Sequence, residues 1–411
     1  MSLARRGLLR AALASGALAA LGPARVAFGE TRGLFVFVFL RGGCDGLHLV
    51  GPSAAREYAD ARPPELRVLE SGERRGIPLA NPLDAAAGFR LHPDAGGLGD
   101  LYRAGQLVIV HAAGLTTANR SHFAAQDMMD RGVAREADAS RMDGGWLARA
   151  VRSAALDTAI PVVATSPAVP LALAGEGRAL AVPDVPGAAG LPGGEQTRAV
   201  LQRLYGEGAD AQHAAMHRLL AAAAQIDRRI ERGGDGRPAA YPGAASYENT
   251  GEAGRALQAV ARLAKMEVGL AAAAVDVGGW DTHEGQPGRF NSLVGQLSRA
   301  VTAFWNDIPA LHARTTVVVL TEFGRRFRAN RSNGTDHGRA GVMLVLGGRV
   351  AGGRMLGRWP GLSSRQLEHG LDLAVTTDYR AVLAEALEGG WGVRSDAIFP
   401  GFAPPPLGLF G

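Results

Sequence analysis

Six residues of metal-ligating type stand in Gly-rich or polar turns beside short apolar runs of this 411-residue chain: Asp45, Asp281, His283, Glu322, Asp336 and His337. Four carboxylates and two imidazoles make a donor set for Zn²⁺, Mn²⁺ or Fe, or for Ca²⁺ or Mg²⁺ with water completing the shell. In the GGWDTH segment, Asp281 and His283 are two apart, and extended backbone points such residues the same way, toward one cation. Adjacent Asp336 and His337 project to opposite sides, a spacing that suits one ligand for each of two cations.

A second constellation is NRSHF, residues 119–123. Asn119 and Ser121 are helix-capping types, and Phe123, Gln126, Asp127 and Asp130 fit a helix behind them. A helix start at the end of a strand favours an anion, through its free N–H groups and its dipole. Ser121 there reads as an activated nucleophile, with Arg120 and His122 as substrate contacts. The loop after Leu320 adds Arg325, Arg326, Arg328, Arg331 and Arg339, of which Arg325 and Arg339 are expected to hold an anionic group. Lys265 is the single lysine among 44 basic residues, so arginine is favoured throughout and its count carries little weight.

The runs that must position these groups read as buried strands: Gly33 to Leu40, Leu107 to Ala112, Leu270 to Val277, Thr316 to Leu320 and Val342 to Leu346. They lack polar alternation and are short, as strands covered on both faces are. Helical spacing is read at Asp94 to Ala104, Leu201 to Ile230, Ala256 to Val268, Arg289 to Ile308 and Thr377 to Leu387. Chemistry just past the carboxyl end of a buried strand is where open α/β sheets place it. Residues from about 142 to 265 read as a mainly helical cap or insert, with short strands in the Pro-punctuated part from Pro161 to Pro192. His213 and His217, four apart, lack an acidic partner and read as ordinary half-exposed side chains.

Several classes are excluded. No G-x-G-x-x-G follows the first strand, no G-x-S-x-G is present, and the only lysine lies in LAKM, so neither a dinucleotide fold, a nucleophile elbow nor a Walker A loop is expected. The opening 29 residues carry Arg5-Arg6 and an apolar Ala/Leu/Gly stretch too short to span a bilayer, which reads as a twin-arginine export signal. A periplasmic or secreted location without a stable membrane anchor is therefore expected, with the twin-arginine export machinery as a partner. Removing residues 1–29 takes away four arginines and no acid, which reduces the formal charge from +5 to +1 and gives no reason to expect nucleic acid as partner. One cysteine, Cys44, cannot close an intramolecular disulfide.

Taken together, the motifs RGGCDGL (41–47), NRSHF (119–123), GGWDTH (278–283), TEFGR (321–325), the segment 334–348 and GRWPGL (357–362) resemble the DUF1501 family of exported bacterial proteins. That family is similar to a branch of the alkaline phosphatase and sulfatase superfamily. The resemblance implies a doubly wound α/β sandwich over residues 30–411, with a mostly parallel central sheet, helices on both faces and a bimetal centre. It matches Asp45 to a first-strand metal aspartate, Ser121 to the nucleophile, and Asp281 with His283 to one metal's ligand pair. Glu322 stands where relatives carry an Asp-His pair, and Asp336 with His337 could restore the missing ligands. The sulfatase C-x-P-x-R signature is absent, so no formylglycine is expected. The expected function is metal-dependent hydrolysis of anionic phosphate or sulfate esters, small or polymeric, with one or two divalent ions of the Zn, Mn, Ca or Mg kind. The rival is a non-catalytic exported binding protein that keeps the fold and a structural metal.

Overall fold

The run Leu34–Leu40 is apolar at every position because both of its faces are covered. In the computed structural model, which describes residues 33–189, 194–205 and 210–411, it forms strand β1. Its even residues Leu34, Val36, Val38 and Leu40 enter one core layer, with Leu98, Leu257, Val260 and Leu297. Phe35, Phe37 and Phe39 enter the opposite layer, with Met128, Trp146, Val382 and Leu383. A period of two with apolar residues on both faces is what a strand sandwiched between helices requires.

The other strands, in chain order, are β2 (Val50–Pro52), β3 (Ile77–Pro78), β4 (Phe89–Leu91), β5 (Leu107–Gly114), β6 (Val162–Ala164), β7 (Leu180–Ala181), β8 (Ala272–Val277), β9 (Thr315–Thr321), β10 (Gly341–Gly347), β11 (Arg354–Leu356) and β12 (Thr377–Asp378). The large sheet has the order β11-β5-β10-β9-β1-β8-β6-β7, with β12 also paired to β5. β1 is central and parallel to both neighbours, Val36 standing between Ala273 of β8 and Val317 of β9. Only β10 runs antiparallel to its neighbours, β5 and β9. The carboxyl ends of β1, β5, β8 and β9 therefore share one edge, and the start of β10 lies on that same edge. β2, β4 and β3 make a small separate antiparallel sheet.

Helices lie on both faces. Gly96–Arg103, Gly251–Lys265 and Gln286–Asp307 cover one, and His122–Arg131, Trp146–Ser153 and Tyr379–Trp391 the other. All five strands expected from apolar runs are present. The stretch from 142 to 265 does more than cap the sheet: β6 and β7 join it, and the helices at 146–153 and 251–265 pack on opposite faces. The helix expected over 201–230 is two, Gly194–Leu204 and Ala211–Asp227, the second capped by Asp210, whose Oδ1 accepts from Gln212 and His213 N–H. Among the described residues no helix is long and apolar enough to cross a membrane. The Arg5-Arg6 segment lies outside the described residues.

Candidate metal centre

Four strand ends deliver the site. Asp281 lies four residues past β8, Glu322 directly past β9, His122 eight residues past β5 at the first turn of its helix, and His337 four residues before β10. One ligand atom from each of His122, Asp281 and His337 lies within 4.8 Å of the others, which makes them the single metal-capable group among the described residues. His283 stands against them. Its Nε2 is 3.1 Å from Asp281 Oδ1 and 2.8 Å from His337 Nε2. His337 Nε2 is likewise 3.1 Å from Asp281 Oδ1, and His122 Nε2 is 3.4 Å from Asp281 Oδ2.

Each of these imidazoles is held from behind. His122 Nδ1 donates to Glu322 Oε1 at 2.8 Å, His283 Nδ1 to Asp336 Oδ1 at 3.2 Å, and His337 Nδ1 to the Arg120 carbonyl at 2.9 Å. All three partners are acceptors, so the proton sits on Nδ1 and the Nε2 lone pair faces Asp281. Nε2 of His122 is buried and has no hydrogen-bond partner. The Nε2 atoms of His283 and His337, 2.8 Å apart, call for a shared proton or a cation between them. These are the fit criteria for a cation: an orphaned nitrogen, converging lone pairs and an adjacent carboxylate.

The core histidines are wired the other way round. His111 Nδ1 accepts from Ala112 N–H, His92 Nδ1 from Asp94 N–H, and His48 Nδ1 from the Gln286 side-chain amide. Burial pushes His92 and His111 down to about 4 and His48 well below its usual value, so all three are neutral packing groups. In the centre, the Glu322 hydrogen bond raises the His122 imidazole above its ordinary value. Burial alone would raise the Asp281 carboxyl, but the hydrogen bond and charge of the Arg325 guanidinium hold it at about 2.

The other expected site residues have partners of their own. Asp45 stands apart from the metal-capable group. It caps the helix Gly46–Leu49, and its Oδ2 accepts from Arg62 Nη1 at 2.6 Å and Gln286 Nε2 at 2.8 Å, all fully buried. Burial would raise its carboxyl, yet the Arg62 guanidinium keeps it below the ordinary value. Breaking a buried pair strands the other charge, so Asp45→Ala is expected to cost about 3–5 kcal/mol by urea denaturation while leaving the metal content unchanged.

Glu322 is also spoken for. Oε1 accepts from Gly42 N–H, His122 Nδ1 and Gln126 Nε2, and Oε2 from Gly43 N–H and Thr321 Oγ1, at 2.8 to 3.1 Å. It orients His122 and leaves no lone pair for a cation. Glu322→Gln is expected to fold and to bind zinc about 10–100-fold more weakly in a chelator competition, the usual weight of an outer partner of a ligating histidine. Asp336 likewise sits behind His283 and receives Asn330 Nδ2 at 3.1 Å, so it and His337 meet the same group of side chains from two sides.

Arg325, expected to hold an anion, is buried at 1 % exposure. Its buried guanidinium donates to the carbonyls of Gly42, Gly43, Trp280 and Thr335 and to Asp281 Oδ1, lashing the turns after β1 and β8 to the loop before β10. Arg339 is buried against Leu115 O and Thr116 O, 3.5 Å from Glu368, with Nη1 unpartnered. Arg120 is part exposed and ion-paired to buried Asp372. Ser121 is exposed at the N-cap beside His122, its side chain making no capping bond. His122, read as a substrate contact, is instead one of the metal-capable group. The signal available was its i,i+4 spacing to Gln126, since both meet Glu322.

No curated protein matches the chain. A family model described as a protein of unknown function, DUF1501, matches residues 108–398, a span that holds His122, Asp281, His283, Glu322 and His337, and the chain belongs to that family.

Proposed function

We propose that this protein is an exported, metal-dependent hydrolase of phosphate or sulfate esters on an alkaline phosphatase-like α/β fold. The observation that carries the reading is the convergence of the His122, His283 and His337 Nε2 atoms on the Asp281 carboxylate, beside an exposed Ser121. The single parallel direction of β7, β6, β8, β1 and β9, with helices on both faces, supports the fold. Imidazole nitrogens with one carboxylate favour zinc, manganese or iron over calcium or magnesium, whose sites are built from oxygen.

A divalent ion held by His122, Asp281 and His337, with His283 adjoining, supplies Lewis acidity to an ester oxygen and favours deprotonation of a nearby hydroxyl. Ser121 Oγ, free of any capping bond, is an exposed hydroxyl on the residue next to His122. The helix His122–Arg131 opens at this point, so its first N–H groups favour an anion there. Arg120 is placed to follow an anionic group, being half-exposed and anchored only through Asp372.

The saturation of Glu322 and the withdrawal of Asp45 support one ion rather than two. They also favour the second reading, a binding protein with a metal-assisted anion site. Elemental analysis of purified protein, paired with turnover of phosphate and sulfate monoesters and diesters, separates the two. Bound metal with turnover supports the hydrolase, and bound metal with anion binding but no turnover supports the binding protein.

A further inference from the structure

The aromatic side chains of the described residues are put away almost without exception. Among the described phenylalanines, tryptophans and tyrosines, Phe123 alone is exposed, at 90 %. It is the residue after His122, in the first turn of the helix that opens at the metal-capable centre. His122 and Gln126, four apart, share the face that meets Glu322. Phe123 is about 100° further round the helix, so its ring flanks that face instead of packing under it. One turn on, Asp127 pairs with Arg131 and offers no apolar neighbour. Consecutive Cα atoms are about 3.8 Å apart, so the backbone positions of Phe123 and His122 adjoin.

We propose that Phe123 is a stacking platform for a flat ring on the ligand, an aryl group or the apolar face of a sugar, while the ligand's anionic group lies at the His122/Asp281/His337 centre. This rests on the reading of that centre as a metal-assisted anion site. A single exposed hydrophobe elsewhere on the surface would call for no explanation. Among the described residues it is the sole exposed Phe, Trp or Tyr, and its sequence neighbour belongs to the one metal-capable group there.

The test uses the zinc-loaded full chain titrated calorimetrically with phenylphosphonate, methylphosphonate and glucose 1-phosphate. The wild type should bind phenylphosphonate about threefold to tenfold more tightly than methylphosphonate, the weight of one aromatic contact. Phe123→Ala should erase that preference without changing methylphosphonate affinity or zinc content, and Phe123→Trp should restore it, which a merely structural role would not. Glucose 1-phosphate binding more tightly than phenylphosphonate, with the same dependence on Phe123, assigns the sugar face; the reverse order assigns the aryl group. Equal phosphonate affinities in the wild type, an equal loss of both in Phe123→Ala, or a change in oligomeric state without a change in ligand preference would overturn the proposal. If neither phosphonate binds, the proposal and the reading of the centre fall together. A Phe123-dependent phenyl preference with no turnover of any ester keeps Phe123 and removes the hydrolase.

Discussion

Asp281→Ala is expected to leave a folded protein that retains no zinc after dialysis, with affinity reduced by more than the ~10–100-fold that an outer-shell partner is worth. Asp281 is the carboxylate on which all three imidazoles converge, and its removal leaves their Nε2 atoms without a counter-charge. Ester turnover should fall with the metal, in parallel. Asp281→Asn is the finer variant, because its side-chain oxygen can still accept from Arg325 Nη2 and keep the clamp closed. Both should lose zinc while the urea midpoint of Asp281→Asn stays near that of the wild type. Zinc retained at full occupancy by both variants, measured by elemental analysis, would remove Asp281 from the centre.

Acid should unfold the metal-free protein through its core rather than its site. His48, His92 and His111 are neutral in the fold and each accepts an N–H at Nδ1, so a proton there meets both burial and a competing donor. Their folded pKa values are depressed, to about 4 for His92 and His111, whereas the unfolded chain takes up protons near 6.5. The stability they contribute is present above pH 6.5 and is lost as the pH falls toward 4. Between pH 7 and pH 5 the loss is on the order of 2 kcal/mol for each of His92 and His111, about 4 kcal/mol for the two, with His48 adding in the same direction, a sizeable part of an ordinary domain's total. His122, raised by Glu322, works in the opposite direction and offsets part of it. Urea midpoints at pH 7, 6 and 5 on chelator-treated protein check this, and a flat profile would contradict it.

How much of this was legible in the sequence depended on whether the deciding partner was near in the chain. The strands were, because continuous apolar runs such as LFVFVFL admit few other fates. So were Asp281, His283 and His337, whose types and loop positions sufficed. Asp45 misled because its fate was set by Arg62, in an aperiodic stretch with no pattern to announce it. Glu322 misled because Gly42 and Gly43, some 280 residues earlier, bring their N–H groups to it once β1 and β9 pair. The same pairing turns Arg325 inward, where the carbonyls of three separate turns consume its donors. His122 was overshadowed by Ser121 beside it, although its spacing to Gln126 marked a common face. Long-range register, invisible in a single chain's local pattern, decided Glu322 and Arg325.

The most direct test of the centre is the zinc stoichiometry of four proteins at equilibrium dialysis: the wild type, Asp45→Ala, His122→Ala and His337→Ala. One zinc per chain on the wild type and on Asp45→Ala, with none on His122→Ala or His337→Ala, is the result this arrangement predicts. Zinc held by His122→Ala and His337→Ala but lost from Asp45→Ala, or no zinc on the wild type, would contradict it.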